Sequence, residues 1–220
     1  MTSKLTWLLT DHTRLWNLMR TSSPGNAQRG VPYLSVGKMV LLHAPRVLST
    51  CLRGALQPAK MGATHIYRAR VNALFDIDQF LHMNNASYLV HLELARWEMG
   101  VATGFATHLV GSGASFVVAS AFTRFRKELK PLQPFEIHST VHGADERSMW
   151  FLQLFHAAGA DSPPVAAGLC RAVLRKGREV VSPRELLGRL GLSSAALDAL
   201  AAAAPRAEHE ALSTLEKVLK

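Results

Sequence analysis

The stretch that decides the fold runs from residue 76 to residue 89 and reads Asp76-Ile77-Asp78-Gln79-Phe80-Leu81-His82-Met83-Asn84-Asn85-Ala86-Ser87-Tyr88-Leu89. Asp, His and Asn are poor residues for a strand or the middle of a helix, but good residues for turns and helix caps. Their crowding predicts a constrained polar junction between two elements. On the residues alone, Asn84 or Asn85 can cap a helix while Asp76 and Asp78 complete a turn, and the same junction can instead carry chemistry.

A strand precedes this junction and a helix follows it. Before the junction, every second residue belongs to one set, namely Tyr67, Ala69, Val71, Ala73 and Phe75. The residues between them are Arg68, Arg70, Asn72 and Leu74. This period of two is that of a half-buried strand. The apolar face of the helix is predicted from residues that recur at helical spacing, namely Tyr88, Leu92, Ala95 and Met99. We therefore expect one strand to lead into one long helix.

Strand-like runs follow the helix, separated by segments rich in turn-forming residues. They span residues 115–127, 135–141, 149–156 and 165–175. Short connections imply antiparallel neighbours, so the expected class is α+β, with one sheet wrapped around the long helix. Ser182, Pro183 and Glu185 match an N-cap, a first helical residue and a capping box. They begin a helical tail, with further helices expected over residues 195–204 and 207–219.

The composition predicts one packed domain with an extension at either end. The chain has 220 residues, of which 48% are hydrophobic and 19% are charged. This length allows one full core but leaves two comparable domains cramped. We expect a basic N-terminal extension over residues 1–61, a domain over residues 62–180 and a helical tail over residues 181–220. Cys51 and Cys170 are the only cysteines, and the histidines show no metal-binding spacing, so neither a disulfide framework nor a metal site is expected.

The N-terminal extension is strongly basic. Residues 1–60 contain one acid, Asp11, against Lys4, Arg14, Arg20, Arg29, Lys38, Arg46, Arg53 and Lys60. This acid-poor pattern resembles an organellar transit peptide, and a flexible basic tail fits it equally well. The expected location is mitochondrial, with the endoplasmic reticulum membrane surface and the cytoplasm as alternatives. Basic residues interrupt the apolar run 36–56, so we expect an amphipathic helix on a membrane surface rather than a membrane span.

The junction and two later segments resemble one family. The run Asp78…His82-Met83-Asn84-Asn85-Ala86-x-Tyr88-Leu89 is similar to the signature of the 4-hydroxybenzoyl-CoA thioesterase family within the hotdog superfamily. Residues 125–136 and 145–148 are similar to one branch of that family. The resemblance implies a hotdog fold, in which a curved antiparallel sheet holds the long helix. It also implies a homodimer or a dimer of dimers, with active sites at the subunit interface.

The resemblance further implies hydrolysis of acyl-CoA thioesters, with a fatty or aromatic acyl group, by Asp78. This residue would act either as a nucleophile that forms a mixed anhydride or as the base that activates water. Both tasks need a carboxylate that is partly shielded and near the thioester carbon. The backbone N–H groups of Asn84, Asn85 and Ala86 would face the thioester oxygen. His82 and the Asn84 side chain would shape the turn and position the acyl group.

Substrate contacts follow from the same resemblance. Tyr88 would line the acyl tunnel, and Arg124, Arg126 and Lys127 would bind the nucleotide phosphates of coenzyme A. The alternative for these three is a solvated basic strand end. Coenzyme A enters as part of the substrate, and no other cofactor is expected. Many family members have Gly where this chain has Leu81, so a backbone conformation with φ > 0 there would be strained.

A rival hypothesis is a catalytically weak or inactive hotdog domain that serves as a scaffold or binding subunit of an organellar complex. The net charge of +9 and the basic N-terminus favour it, because such a surface attracts polyanionic partners. No signature of an RNA-binding fold is visible, so direct specific recognition of nucleic acid is not expected. Turnover measured across a panel of acyl-CoA substrates separates the two hypotheses.

Overall fold

An antiparallel sheet of six strands forms the frame of the molecule. Its strands are β1 (His65–Arg70), β2 (Ser115–Phe125), β3 (Pro134–Ala144), β4 (Met149–Ala157), β5 (Ala166–Lys176) and β6 (Glu179–Val181). Their order across the sheet is β1-β3-β4-β5-β2, and β6 pairs with β5. The computed structural model describes residues 34–157, 163–205 and 208–219; residues 1–33 of the basic extension that was predicted over residues 1–61 lie outside them.

Helices flank the strands along the chain. They are α1 (Leu34–Leu56), α2 (Asn85–Ala102), α3 (Phe105–Gly111), α4 (Pro183–Arg189), α5 (Ser194–Ala203) and α6 (Glu208–Val218). The chain divides after Pro45 into two compact units, Met1–Pro45 and Arg46–Lys220, and the whole sheet lies in the second. The curved antiparallel sheet packed around one long helix confirms the predicted α+β architecture.

The face of α2 that the sequence predicted to be apolar is buried. Leu92, Ala95 and Met99 are at most 4% exposed. The helix lies close to β5 because Gly168 has no side chain: a Cβ atom there would lie 2.5 Å from Cδ1 of Leu92. Burying these side chains between helix and sheet supplies the main apolar contribution to stability.

The first strand is shorter than predicted. The predicted alternation extends to Phe75, but β1 ends at Arg70. Asn72 ends the pairing, because its side-chain oxygen accepts hydrogen bonds from the backbone N–H groups of Leu74 at 2.9 Å and Phe75 at 3.2 Å. A local turn of this kind competes with the sheet for backbone donors. The residues after Arg70 therefore belong to the junction and not to the sheet.

The C-terminal tail begins as predicted. The Ser182 side chain accepts a hydrogen bond from the backbone N–H of Glu185 at 3.3 Å, and Pro183 is the first residue of α4. Leu186 and Leu187 are buried against the core. Farther along, α5 lies on β3, where a Cβ atom on Gly143 would lie 2.5 Å from the backbone of Ala204. The tail therefore packs onto the sheet through these residues.

Candidate active site

The junction between β1 and α2 folds back on itself. The backbone N–H of Asp78 donates to the carbonyl of His82 at 3.1 Å, and the N–H of Leu81 donates to the carbonyl of Asp78 at 3.1 Å. The N–H of Asn84 donates to the carbonyl of Asp76 at 2.8 Å. These bonds make residues 78–82 a tight turn whose two ends meet at the start of α2.

Asp78 lies in this turn with a partly shielded carboxylate. Its side chain is 23% exposed. One oxygen accepts a hydrogen bond from the backbone N–H of Phe80 at 2.9 Å, and the other lies 3.5 Å from Nδ1 of His82. The carboxylate is therefore held in one orientation while a solvent-facing part of it stays open to a reactant.

Leu81 adopts the positive φ that was expected from the sequence to be strained for a residue other than glycine. Its φ is 58° and its side chain is 67% exposed. A bulky residue rarely adopts positive φ, because Cβ then crowds the following carbonyl. The turn that carries Asp78 is therefore strained at this residue.

The start of α2 offers backbone donors beside this turn. Asn84 is the N-cap, and its side-chain oxygen accepts a hydrogen bond from the N–H of Ser87 at 2.8 Å. Asn85 and Ala86 are exposed, and the first N–H groups of a helix have no acceptor inside the helix. The predicted capping role of Asn84 is thus confirmed, and the catalytic roles of His82, Asn84 and Asn85 stay predictions.

The predicted phosphate-binding cations lie at the end of β2 nearest the junction. The backbone N–H groups of Arg126 and Lys127 both donate to the carbonyl of Val165, at 2.8 and 2.9 Å. The carbonyl of Leu129 accepts from the N–H of Met83 at 2.8 Å. The loop after β2 is therefore hydrogen-bonded to the junction. Arg124 lies within β2, two residues before Arg126, and is exposed at the same end.

Tyr88 occupies the core rather than an open tunnel. It is 2% exposed, and its ring packs edge-on against Phe125 and Phe155 at centroid distances of 5.0 and 4.9 Å. Burial raises the pKa of its hydroxyl to about 12. In this structure Tyr88 is part of the core, and a direct contact with substrate stays a prediction.

A cavity of about 210 Å³ lies along α2 beyond its first turn. Its lining comes from α2, β2 and β5 and consists of Leu89, Leu92, Glu93, Arg96, Ala121, Phe122, Leu169 and Cys170. Most of these residues are apolar, and the two charged residues are one turn apart on the helix. The cavity begins one turn after the exposed amide end of α2.

A buried polar network below the junction was missed by the sequence reasoning. Asp76 is 1% exposed and accepts hydrogen bonds from the N–H of Asn72 at 3.0 Å and from Nε2 of His91 at 2.9 Å. Its other oxygen lies 3.2 Å from the guanidinium of Arg46. The hydroxyl of Tyr67 lies 3.1 Å from Nδ1 of His91. The sequence pattern of α2 did not indicate that His91 pairs with Asp76, which lies 15 residues earlier in the chain.

The protonation state of this network follows from its contacts. Burial raises the pKa of Asp76, but the hydrogen bonds from His91 and Asn72 and the charges of His91 and Arg46 outweigh it and hold the pKa below its ordinary value. Burial lowers the pKa of His91, and Asp76 only partly opposes that shift. A neutral His91 satisfies Asp76 and Tyr67 when Nε2 donates to Asp76 and Nδ1 accepts from the Tyr67 hydroxyl. The Arg46 guanidinium lies 3.1 Å from the same Nε2.

A second buried carboxylate pairs with the same helix α1. Glu98 is 3% exposed and accepts from Nε of Arg53 at 2.9 Å, while Nε2 of His65 lies 3.2 Å from its other oxygen. The Arg53 guanidinium also lies 5.1 Å from the centroid of the Tyr67 ring. Residues of the predicted N-terminal extension thus neutralise acids buried in the domain.

The described part of the chain contains neither a metal-binding cluster nor a helix that could span a membrane. Within residues 34–157, 163–205 and 208–219, no group of three or more His, Cys, Asp or Glu side chains is placed to hold a metal ion. Over the same ranges, no helix combines the length and apolar character needed to cross a membrane.

The family model described as the thioesterase-like superfamily matches residues 73–189 of this chain. Protein THEM6 of Danio rerio is 31% identical over 125 residues, which confirms the predicted resemblance to one branch of the thioesterase family. That match covers 57% of this chain and 59% of the relative. A probable thioesterase of Saccharomyces cerevisiae is 26% identical over 119 residues, covering 54% of this chain and 51% of the relative. The chain thus spans between half and three fifths of the length of these relatives.

Solved structures show the same fold. YbaW, a probable thioesterase from Escherichia coli, superposes with a TM-score of 0.52 at 20% identity, covering 57% of this chain and 94% of that one. A hypothetical protein from Aquifex aeolicus gives a TM-score of 0.51 at 24% identity, covering 57% of this chain and 98% of that one. At such identities the likeness concerns the fold alone. With the match over residues 73–189, the chain belongs to the thioesterase-like superfamily and has its hotdog fold.

Proposed function

We propose that this domain hydrolyses acyl-CoA thioesters with Asp78 as its catalytic carboxylate. The observation that carries the proposal is the setting of Asp78. Its carboxylate is 23% exposed, held by the Phe80 N–H at 2.9 Å, and part of a turn that closes onto the amide end of α2. A fixed carboxylate beside unpaired backbone donors is the arrangement that acyl transfer from a thioester requires.

The chemistry has two balanced routes. As a nucleophile, Asp78 attacks the thioester carbon and expels the coenzyme A thiolate, which takes up a proton; water then cleaves the mixed anhydride. As a base, Asp78 removes a proton from water, the hydroxide attacks the same carbon, and the proton leaves with the thiol. In both routes the N–H groups of Asn85 and Ala86 would stabilise the negative charge on the carbonyl oxygen, worth about 3–4 kcal/mol for one well-placed donor.

The substrate's two ends fit two neighbouring features. The apolar part of the cavity along α2, lined by Leu89, Leu92 and Phe122, would take the acyl group. The cations Arg126 and Lys127 lie on the loop that is bonded to the junction, where they would take the nucleotide phosphates. Fatty and aromatic acyl groups both remain substrate candidates.

Replacement of Asp78 by Asn tests the proposal. Release of coenzyme A thiol should fall about a hundredfold or more, because the neutral amide is neither nucleophile nor base. Asp198→Asn is the matched control, since Asp198 is 66% exposed on α5 and pairs with Arg184. Circular dichroism checks that both variants fold. Unchanged turnover by Asp78→Asn on every substrate that the wild type hydrolyses would remove Asp78 from the mechanism.

Single turnover in water labelled with heavy oxygen tests the nucleophilic route. If Asp78 is the nucleophile and water attacks the Asp78 carbon of the anhydride, the label enters the Asp78 carboxylate, where mass spectrometry of the peptide detects it. Attack on the acyl carbon of the anhydride, or the base route, puts the label only in the released acid. Label in Asp78 therefore establishes the nucleophilic route, and trapping of the anhydride with hydroxylamine separates the remaining two cases.

The coenzyme A contact is tested by the double variant Arg126→Gln/Lys127→Gln. It should raise KM for acyl-CoA about tenfold and leave turnover of the corresponding acyl-pantetheine, which lacks the nucleotide phosphates, unchanged. Lys176→Gln is the control, because Lys176 is exposed at the opposite end of β5. Equal effects on both substrates would show that the two cations do not bind the nucleotide.

A binding role without turnover is the second candidate, and the strained turn favours it. Leu81 takes positive φ where many family members have Gly, directly beside the catalytic carboxylate. Under this alternative, calorimetry detects acyl-CoA binding although no thiol is released.

We also propose a homodimer formed through the edge strand β2, where Val117 and Val118 are 43% and 44% exposed, and a mitochondrial location.

A further inference from the structure

Two exposed leucines occupy positions that normally favour glycine. Leu81 has φ 58° and is 67% exposed, and Leu132 has φ 63° and is 63% exposed. Each therefore carries backbone strain and also leaves a large apolar side chain in water. Glycine at these positions would avoid both the backbone strain and the exposure of an apolar side chain. The presence of leucine therefore indicates that the two side chains contact a binding partner.

The two leucines lie on loops that are hydrogen-bonded neighbours. The N–H of Leu132 donates to the carbonyl of Val71 at 3.0 Å, and the guanidinium of Arg70 donates to the carbonyl of Leu132 at 3.0 Å. The carbonyl of Leu129 accepts from Met83 at 2.8 Å. Both loops are thus at the end of the domain that carries Asp78.

Other apolar side chains share this end and are also exposed. We name as the apolar tip the residues Leu74, Phe75, Phe80, Leu81 and Leu132, which are 83%, 58%, 72%, 67% and 63% exposed. Isolated exposed apolar residues are common on proteins, but several large ones on two loops that are hydrogen-bonded neighbours mark an interaction surface. The tip is therefore a docking surface.

The charges on the same loops select the partner. Arg70, Arg126, Lys127 and Lys130 are exposed around the tip, with Glu128 as the exposed acid among them. A second copy of the chain that met this surface with its own copy of the tip would bring the same positive charges against it. An anionic lipid bilayer offers an apolar interior for the leucine and phenylalanine side chains and negatively charged headgroups for the cations.

We propose that the apolar tip and its surrounding cations dock on an anionic lipid bilayer. The aromatic and leucine side chains enter the boundary between headgroups and acyl chains, while the cations contact the headgroups. This docking does not depend on the proposed hydrolysis, although it would place Asp78 next to the membrane surface, where acyl chains partition.

Flotation of the full chain with vesicles tests the proposal. Binding to vesicles of phosphatidylcholine mixed with phosphatidylglycerol should exceed binding to phosphatidylcholine alone and should weaken with salt. The variant Leu81→Gly/Leu132→Gly removes two apolar side chains at positions where glycine suits the backbone, so it keeps the fold. It should reduce the partition coefficient about tenfold or more.

The control and the contrary outcomes are equally specific. Leu48→Ser/Leu52→Ser changes exposed leucines of α1, which are 46% and 39% exposed, and should bind vesicles as the wild type does. If that variant loses binding and the glycine variant keeps it, α1 is the docking element and the proposal is overturned. Wild type that binds neither vesicle also overturns it. So does light scattering that shows a dimer of wild type and a monomer of the glycine variant, because the tip would then be a subunit interface.

Discussion

Replacing Asp76 by Asn measures how strongly the buried network stabilises the junction. The Asp76 carboxylate accepts hydrogen bonds from Asn72 at 3.0 Å and from His91 at 2.9 Å. A hydrogen bond to a charged group contributes about 1.5–3 kcal/mol, against about 0.5–1.5 kcal/mol for a neutral pair. Neutralising the acceptor of both bonds should therefore cost about 2 kcal/mol.

Arg46 adds a smaller amount to this loss. Its guanidinium lies 3.2 Å from Asp76 and its side chain is 33% exposed, so water screens the pair, and it contributes no more than about 1 kcal/mol. The free energy of unfolding should fall by about 2–3 kcal/mol in Asp76→Asn, measured by urea unfolding followed by circular dichroism. Asp198→Asn is the control: its pair with Arg184 is 2.6 Å long but 66% exposed, so it should cost less than about 1 kcal/mol. Equal losses in the two variants would refute the reasoning.

The pH dependence gives a second check on the same network. The pKa of Asp76 is lower in the folded state than in the unfolded chain. Its contribution is therefore fully present above the unfolded pKa, about 3.9, and is lost as pH falls through the folded pKa. The pKa of His91 is also lowered by folding, so its share begins to fall below about pH 6.5. Below about pH 4, where the carboxylate of Asp76 takes up a proton on unfolding, wild type should lose stability more steeply with falling pH than Asp76→Asn does.

Two further substitutions probe the backbone. Leu81→Gly should be about 1 kcal/mol more stable than Leu81→Ala, because only glycine removes the strain at φ 58°; equal urea midpoints would contradict this. Gly168→Ala should destabilise by about 1–3 kcal/mol through overpacking, because its Cβ atom would lie 2.5 Å from Cδ1 of Leu92. Gly111→Ala, with nothing within 4 Å, is the matched control and should melt at the wild-type temperature or above.

Local signals allowed most of the fold to be predicted. Period-two alternation, turn-forming residues between strands and the spacing of Leu92, Ala95 and Met99 on α2 gave the sheet and its central helix. The end of β1 could not be predicted the same way. The alternation continues to Phe75, and only the side-chain oxygen of Asn72 shows where the backbone leaves the sheet. The short α3 and β6 carry no strong pattern of their own, because packing against the core decides them.

In the candidate site, too, the local features could be predicted from the sequence and the long-range contacts could not. Asp78 and Asn84 stand within one short motif, so the sequence could place them together. Arg46 and Asp76 are 30 residues apart and meet only in the folded chain, and no periodicity links a helix in a basic extension to an acid in a turn.

That contact changes how the extension is understood. An arginine that pairs with a carboxylate 1% exposed is part of the domain's charge balance, because burial lowers the pKa of His91 and Arg46 then supplies the positive charge that faces Asp76. The basic residues of the extension therefore need not share one role. Those at positions 46 and 53 neutralise Asp76 and Glu98 within the domain, so the proposed targeting signal would lie before them. A targeting signal cleaved on the N-terminal side of Arg46 is compatible with the site, whereas cleavage between Arg53 and β1 would remove the arginine partner of each buried acid and leave only the histidine partners, His91 and His65.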